Sequence, residues 1–276
     1  MTTLDVRPSL QGKTVFVTGG MSGMGRACVD SLSAHGCRVA FTYAEGHESA
    51  AAAAARVADA PAVRSCHALD LQSPASIERA FTAAVAHWGD IDILVHAAAV
   101  GSATVARYAA DPGAQDSAML AINADGALKI CQLFVAHAGA TITAIPRKLI
   151  LFSSVGGGVS QFPGFRLSDG MSKAAVAFLT KQLAAEHVHT ALDVFALCPG
   201  ATDTPMFRAS TLDGMTPAEQ AVFAAQMPKG RLIQPSDIAD IVVFLASAYS
   251  TPLHGAVIDA SMGLGVRPGV ITERGH

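Results

Sequence analysis

The chain has 276 residues, of which 51% are hydrophobic and only 15% charged, with a net charge of −3. This length suits one α/β domain with a large buried core, and the slight negative charge with scattered basic residues argues against nucleic acid or an anionic membrane surface as partner. Cys28, Cys37, Cys66, Cys131 and Cys198 are odd in number and lack CxxC spacing, which fits reduced core thiols in a cytoplasmic protein and no metal site.

The N-terminal stretch MTTLDVRPSLQGK carries charges and a proline but no apolar core, so no signal peptide is expected. No apolar run approaches the ~20 residues that cross a bilayer. Thr14–Val17 is a short apolar, β-rich run, long enough for a buried strand and too short for a helix. Gly19, Gly20, Gly23 and Gly25 follow, and Arg26 opens a helical pattern that stops at Gly36. A strand, a glycine turn and a helix start make a phosphate site, because glycine allows close approach and the first helical N–H groups point at the anion. The spacing is TGxxxGxG, not the GxGxxG of the commonest dinucleotide fingerprint.

Further strands are predicted at 37–42, 63–69, 91–97, 149–152, 194–197 and 256–258. Helices are predicted at 48–58, from the Ser73-Pro74 start to His87, at about 114–138, at 171–189 and at 238–247. Strands alternating with helices of this length imply right-handed βαβ units, hence a parallel α/β sheet of about seven strands covered on both faces. No repeat or linker interrupts the pattern, so residues 1–276 are expected to form one domain.

Several motifs stand in one order: TGGMSGMG at Thr18–Gly25, Asp70-Leu71, Asn123 within AINADGAL, FSS at Phe152–Ser154, MSKAAV at Met171–Val176, CPGATDTPM at Cys198–Met206 and the PSDIADIVVFLAS stretch at Pro235–Ser247. Together they resemble the short-chain dehydrogenase/reductase family, from about Leu10 to Gly265. The resemblance implies a Rossmann-type, doubly wound parallel sheet that binds a nicotinamide cofactor at the carboxyl ends of its strands. Gly19, Ser22, Met24 and Gly25 match the pyrophosphate turn, and Asp70 and Leu71 match the adenine contacts. Pro199, Gly200, Thr202 and Thr204 match the loop at the nicotinamide end, while Lys173 matches the lysine that grips the nicotinamide ribose. An acidic residue closing the second strand would select NAD. Tyr43 stands there instead, which favours NADP over NAD, although no Arg sits beside it to receive a phosphate. His47 and Ser49 are possible donors at a solvated helix start.

Two departures from the family pattern stand out. Its NNAG is here His96-Ala97-Ala98-Ala99, where Ala97 leaves room for a cofactor and His96 reads as a structural substitute. The family also pairs a Tyr with a Lys four residues later on one helix face. Lys173 fits the lysine, but four residues before it stands Asp169. A carboxyl beside an ammonium stays ionised at neutral pH and has no proton to give. Tyr108, in the loop after the fourth strand, is the remaining tyrosine with a route to the catalytic face. Ser154 matches the serine that hydrogen-bonds the substrate oxygen, and Asn123 matches the helix asparagine that anchors a water beside the lysine.

Three readings follow. The chain reduces a C=N substrate that needs no tyrosyl proton; or Ser154, Lys173, Asp169 or water serves a carbonyl reduction or a non-redox reaction; or it is a non-catalytic cofactor binder. No GxSxG elbow supports Ser-His-Asp hydrolysis. His187 and His189, two apart on the predicted helix, face different ways and cannot share a metal. The apolar segment at about 206–231 lies where the family places a substrate lid, which points to a hydrophobic or aromatic small molecule. The low-charge surface suits a homotetramer or homodimer.

Overall fold

The computed structural model describes residues 6–139 and 146–267, so the start of the N-terminal stretch discussed above lies outside the described residues. The strands are β1 (Thr14–Thr18), β2 (Arg38–Ala44), β3 (Arg64–Leu69), β4 (Ile93–His96), β5 (Arg147–Phe152), β6 (Leu192–Pro199) and β7 (Val257–Ala260). They form one sheet in the order β3-β2-β1-β4-β5-β6-β7, and every neighbouring pair is parallel. The order reverses between β1 and β4. That reversal opens a crevice at the carboxyl ends of those strands, the usual ligand position in such a sheet.

Helices cover both faces: α1 (Gly23–Ala34), α2 (Ala50–Ala58), α3 (Pro74–Trp88), α4 (Pro112–Leu120), α5 (Gly126–Gly139), α6 (Leu167–Glu186), α7 (Pro217–Gln226) and α8 (Pro235–Ala246). Alternate strand residues point to opposite faces. Val15 and Val17 join Val29, Leu32, Val242 and Leu245 in one buried cluster. Phe16, between them, enters the other cluster with Leu94, Ile130 and Phe134 and meets Phe81 edge-on at 5.5 Å. Burial on both faces explains why these strands read as unbroken apolar runs.

The expected boundaries move for physical reasons. β5 begins at Arg147 because two cations that look wrong for a buried strand have partners there. Lys148 Nζ donates to Asp193 Oδ2 at 2.6 Å, and Arg147 Nη1 to the Ile91 carbonyl at 3.0 Å. Ser73 caps α3 by accepting the Ser76 N–H, with Pro74 in the first turn as expected. The single helix expected over 114–138 is two helices joined by a π turn at Ala121–Asp125. The run Pro112–Gly139 is in fact long and apolar enough to cross a membrane, and half of its most apolar window is buried in the fold, as in a core helix. α6 starts at Leu167, four residues before the expected Met171, and ends at Glu186. His187 and His189 therefore lie past the helix, so helical periodicity does not set which way their rings face.

Candidate active site

After β1 the chain turns through Gly19 with φ at +70°, so close to the next loop that a Cβ would stand 2.8 Å from Ala98 Cα. Gly25, in the first turn of α1, would place a Cβ 2.1 Å from the Gly19 carbonyl oxygen. No side chain larger than hydrogen fits this crossing. Ser22 precedes α1 in an extended conformation and makes no side-chain cap bond. The first N–H groups of this 12-residue helix are thus left for an outside acceptor.

A cavity of about 210 Å³ opens over this turn. Gly19, Ser22, Met24, Gly25 and Ala97 line it, as do the expected adenosine residues Tyr43, Asp70 and Leu71, and also Thr204. Asn123, Ser154, Asp169, Lys173, Pro199, Gly200 and Thr202 are not part of its wall. Thr202 is buried and donates its hydroxyl to the Gly200 carbonyl at 3.0 Å, and Gly200 lies tight against Ser261. Thr204 Oγ1 accepts the Phe207 N–H and caps the short helix Pro205–Phe207.

Tyr108 lines the same cavity, with its ring centroid 4.0 Å from that of His47. Burial and the charges of Glu48 and Asp70 hold its phenol above the usual range. It therefore belongs to the Tyr43–Asp70 end and does not reach toward the helix that carries Lys173. Ser49 caps α2 by accepting the Ala52 N–H.

Asp169 and Lys173 sit one turn apart at the start of α6, only 6% and 9% exposed. No ion pair closes between them among the described residues. Burial lowers the Lys173 pKa while the Asp169 charge pulls it back up. Asp169 Oδ2 instead accepts the Ser102 hydroxyl at 3.1 Å. Asn123, inside the π turn, clamps Val100: Oδ1 accepts its N–H at 2.8 Å and Nδ2 donates to its carbonyl at 2.9 Å. The same amide donates to Ser172 Oγ, which donates to the Asp169 carbonyl. Ser153 Oγ donates to the Lys173 carbonyl at 2.8 Å, fixing the end of β5 against α6. Ser154, next along, accepts the Gly156 N–H with its hydroxyl oxygen.

The profile of the family described as enoyl-(acyl carrier protein) reductase matches residues 19–265. The chain is a member of this family of short-chain dehydrogenases/reductases. A 3beta-hydroxysteroid dehydrogenase 1 of Eggerthella lenta is 28% identical over 260 residues, covering 94% of this chain and 96% of that one. A dehydrogenase/reductase structure from Sinorhizobium meliloti is 26% identical with a TM-score of 0.78, covering 94% of this chain and 98% of that one. The Pseudomonas aeruginosa RhlG structure, an active-site complex with NADP, is 25% identical with a TM-score of 0.81, covering 95% and 100%.

In this short-chain dehydrogenase/reductase, the histidine in the NNAG position is structural in its contacts. His96 Nδ1 meets Thr18 Oγ1 at 2.9 Å, and the Ala98 N–H donates to the same oxygen, so the ring ties β1 to β4. Burial, helped by the Lys173 charge, pushes its pKa down to about 3 and keeps it neutral. Ser102 is the residue that sequence reasoning missed. Nothing local marks it, because its contact with Asp169 spans 67 positions.

Proposed function

We propose that this short-chain dehydrogenase/reductase holds a nicotinamide dinucleotide in the cavity and reduces a C=N bond, an imine or iminium, on a hydrophobic or aromatic small molecule. The observation that carries the reading is Asp169, buried where a phenol is expected and held by Ser102. The residues fit the cofactor: an uncapped helix start for the pyrophosphate, a turn with no room for a Cβ, and Leu71 and Ile122 as apolar wall. When bound, the nicotinamide supplies the hydride. The imine reacts as its iminium, already protonated from solvent, so hydride alone completes the amine, and a fixed carboxylate stabilises the positive charge. Lys173 then orients the ribose, Ser154 faces the substrate, and Asn123 holds the loop through Val100.

The segment 206–231 is proposed as the lid. Phe207, Leu212, Met215, Phe223 and Met227 form a small apolar cluster apart from the two main ones. Met206 lines the cavity and packs so tightly on Gly101 that a Cβ there would lie 2.9 Å from it. We read the protein as one cytoplasmic domain that assembles as a homotetramer or homodimer. Leu167, Met171 and Phe178 stand exposed on one face of α6, in keeping with that reading.

The test pairs a cyclic imine with the ketone of the same ring. The imine should turn over and the ketone should not. Asp169→Asn should slow imine reduction by about tenfold or more, since a hydrogen bond or charge contact of this kind contributes ~1.5–3 kcal/mol. Equal turnover of both substrates, or an unchanged rate in Asp169→Asn, overturns the reading. Asp169→Tyr should restore ketone reduction.

A further inference from the structure

The family pattern leaves the choice of cofactor to Tyr43, an uncharged residue, but the fold brings a charge to the same place. β2 ends at Ala44, and the Glu48 side chain folds back over four residues until its Oε2 accepts the Ala44 N–H at 2.6 Å. Both residues line the cavity. We propose that Glu48 selects the cofactor: its carboxylate receives the ribose hydroxyls at the adenosine end and shuts out a 2′-phosphate, so that the chain prefers NADH to NADPH. This rests on the dinucleotide reading of the cavity, refines it, and reverses the preference drawn from Tyr43 alone.

A 2′-phosphate beside the end of β2 needs N–H groups and cations, and the strand-end N–H is already taken by an anion of the chain's own. The turn does not need that bond to close, because the N–H groups of His47 and Glu48 both donate to the Ala44 carbonyl, at 3.0 and 2.9 Å. The carboxylate is thus positioned beyond what the turn itself requires.

Glu45, Glu48 and Asp70 line the cavity, and Arg107 is the guanidinium among the lining residues. Glu45 is matched by Arg79 at 3.0 Å, from outside the lining. Glu48 has no ion-pair partner among the described residues. Its charge, with that of Asp70, is felt at the Tyr108 phenol more strongly than that of Arg107. A carboxylate beside a ribose accepts hydrogen bonds from its hydroxyls, whereas the same carboxylate beside a phosphate repels it.

The experiment is calorimetric or fluorescence titration of the full chain with NADH and with NADPH, for the wild type, Glu48→Gln and Glu48→Ala. The wild type should bind NADH tighter by about tenfold or more, as expected for hydrogen bonds to a charged group. Glu48→Ala should tighten NADPH and loosen NADH, collapsing or reversing the ratio. Glu48→Gln keeps an acceptor for Ala44 and the ribose but loses the charge, so it should gain NADPH and lose NADH affinity by less than Glu48→Ala does. It also decides the matter if Glu48→Ala does not fold. A wild type that prefers NADPH, or one ratio common to all folded variants, overturns the selector and leaves the dinucleotide reading standing. Binding of neither cofactor by any variant overturns both.

Discussion

Asp169 is acidic in the first turn of α6, where the helix dipole favours a negative charge, and its oxygen is held by Ser102. Ser102→Ala removes that hold without touching the cofactor cavity, whose wall does not include Ser102. The expected outcome is a lower kcat for imine reduction with cofactor affinity unchanged, read by steady-state kinetics beside a binding titration. Burial lowers the pKa of His96 to about 3 and of His67 to about 4, with a smaller contribution from His87 at His67. Both rings stay neutral in the fold at a pH where the unfolded chain protonates them. Below an ordinary histidine value of ~6.5 the unfolded state binds more protons, so stability falls as pH drops from there toward 4. Denaturant midpoints between pH 7 and 4.5 should show this slope, and His96→Asn should make it shallower. The family resemblance pointed to Lys173 and, four residues before it, Asp169, but not to Ser102, since no local pattern predicts a contact between a loop and a helix this far apart.

Among the elements, the β1–α1 turn was the most legible part of the chain, because glycines after a short apolar run have a steric cause. Gly25→Ala pushes a methyl into the Gly19 carbonyl oxygen and displaces the start of α1. Cofactor affinity should fall by about tenfold or more, ~1.4 kcal/mol, in a fluorescence titration. The break in the 112–139 helix was not legible. Leu120 and Gly126 both keep helical dihedrals around the π turn, so composition carries no sign of it. Asn123 has a tertiary reason to be there: its amide satisfies both backbone groups of Val100 from the neighbouring loop. The start of α6 was missed by four residues, since Gly170 interrupts the helical pattern.

For the whole molecule, the exposed side chains of α6 are the unusual feature of a sparsely charged surface. Leu167, Met171 and Phe178 are 82%, 60% and 68% exposed, at helical spacings of four and seven, and Leu128 of α5 is partly exposed as well. Such a row invites a second copy of the chain. Light scattering after size-exclusion chromatography should give a dimer or tetramer. Met171→Glu together with Phe178→Glu should shift it toward monomer without loss of helix content by circular dichroism.

Local periodicity and glycine sterics were enough to read the alternation of strands and helices and the tight glycine turn after β1 from the chain alone, while Asp169 was singled out by the family resemblance. Tertiary structure alone decided what those residues touch. It placed Tyr108 beside Tyr43 and Asp70 in the cavity, gave Asp169 a serine partner and brought Glu48 to the end of β2. Hydrogen bonds between side chains are set by distances across the sheet and its loops, and no short-range pattern in a chain encodes them.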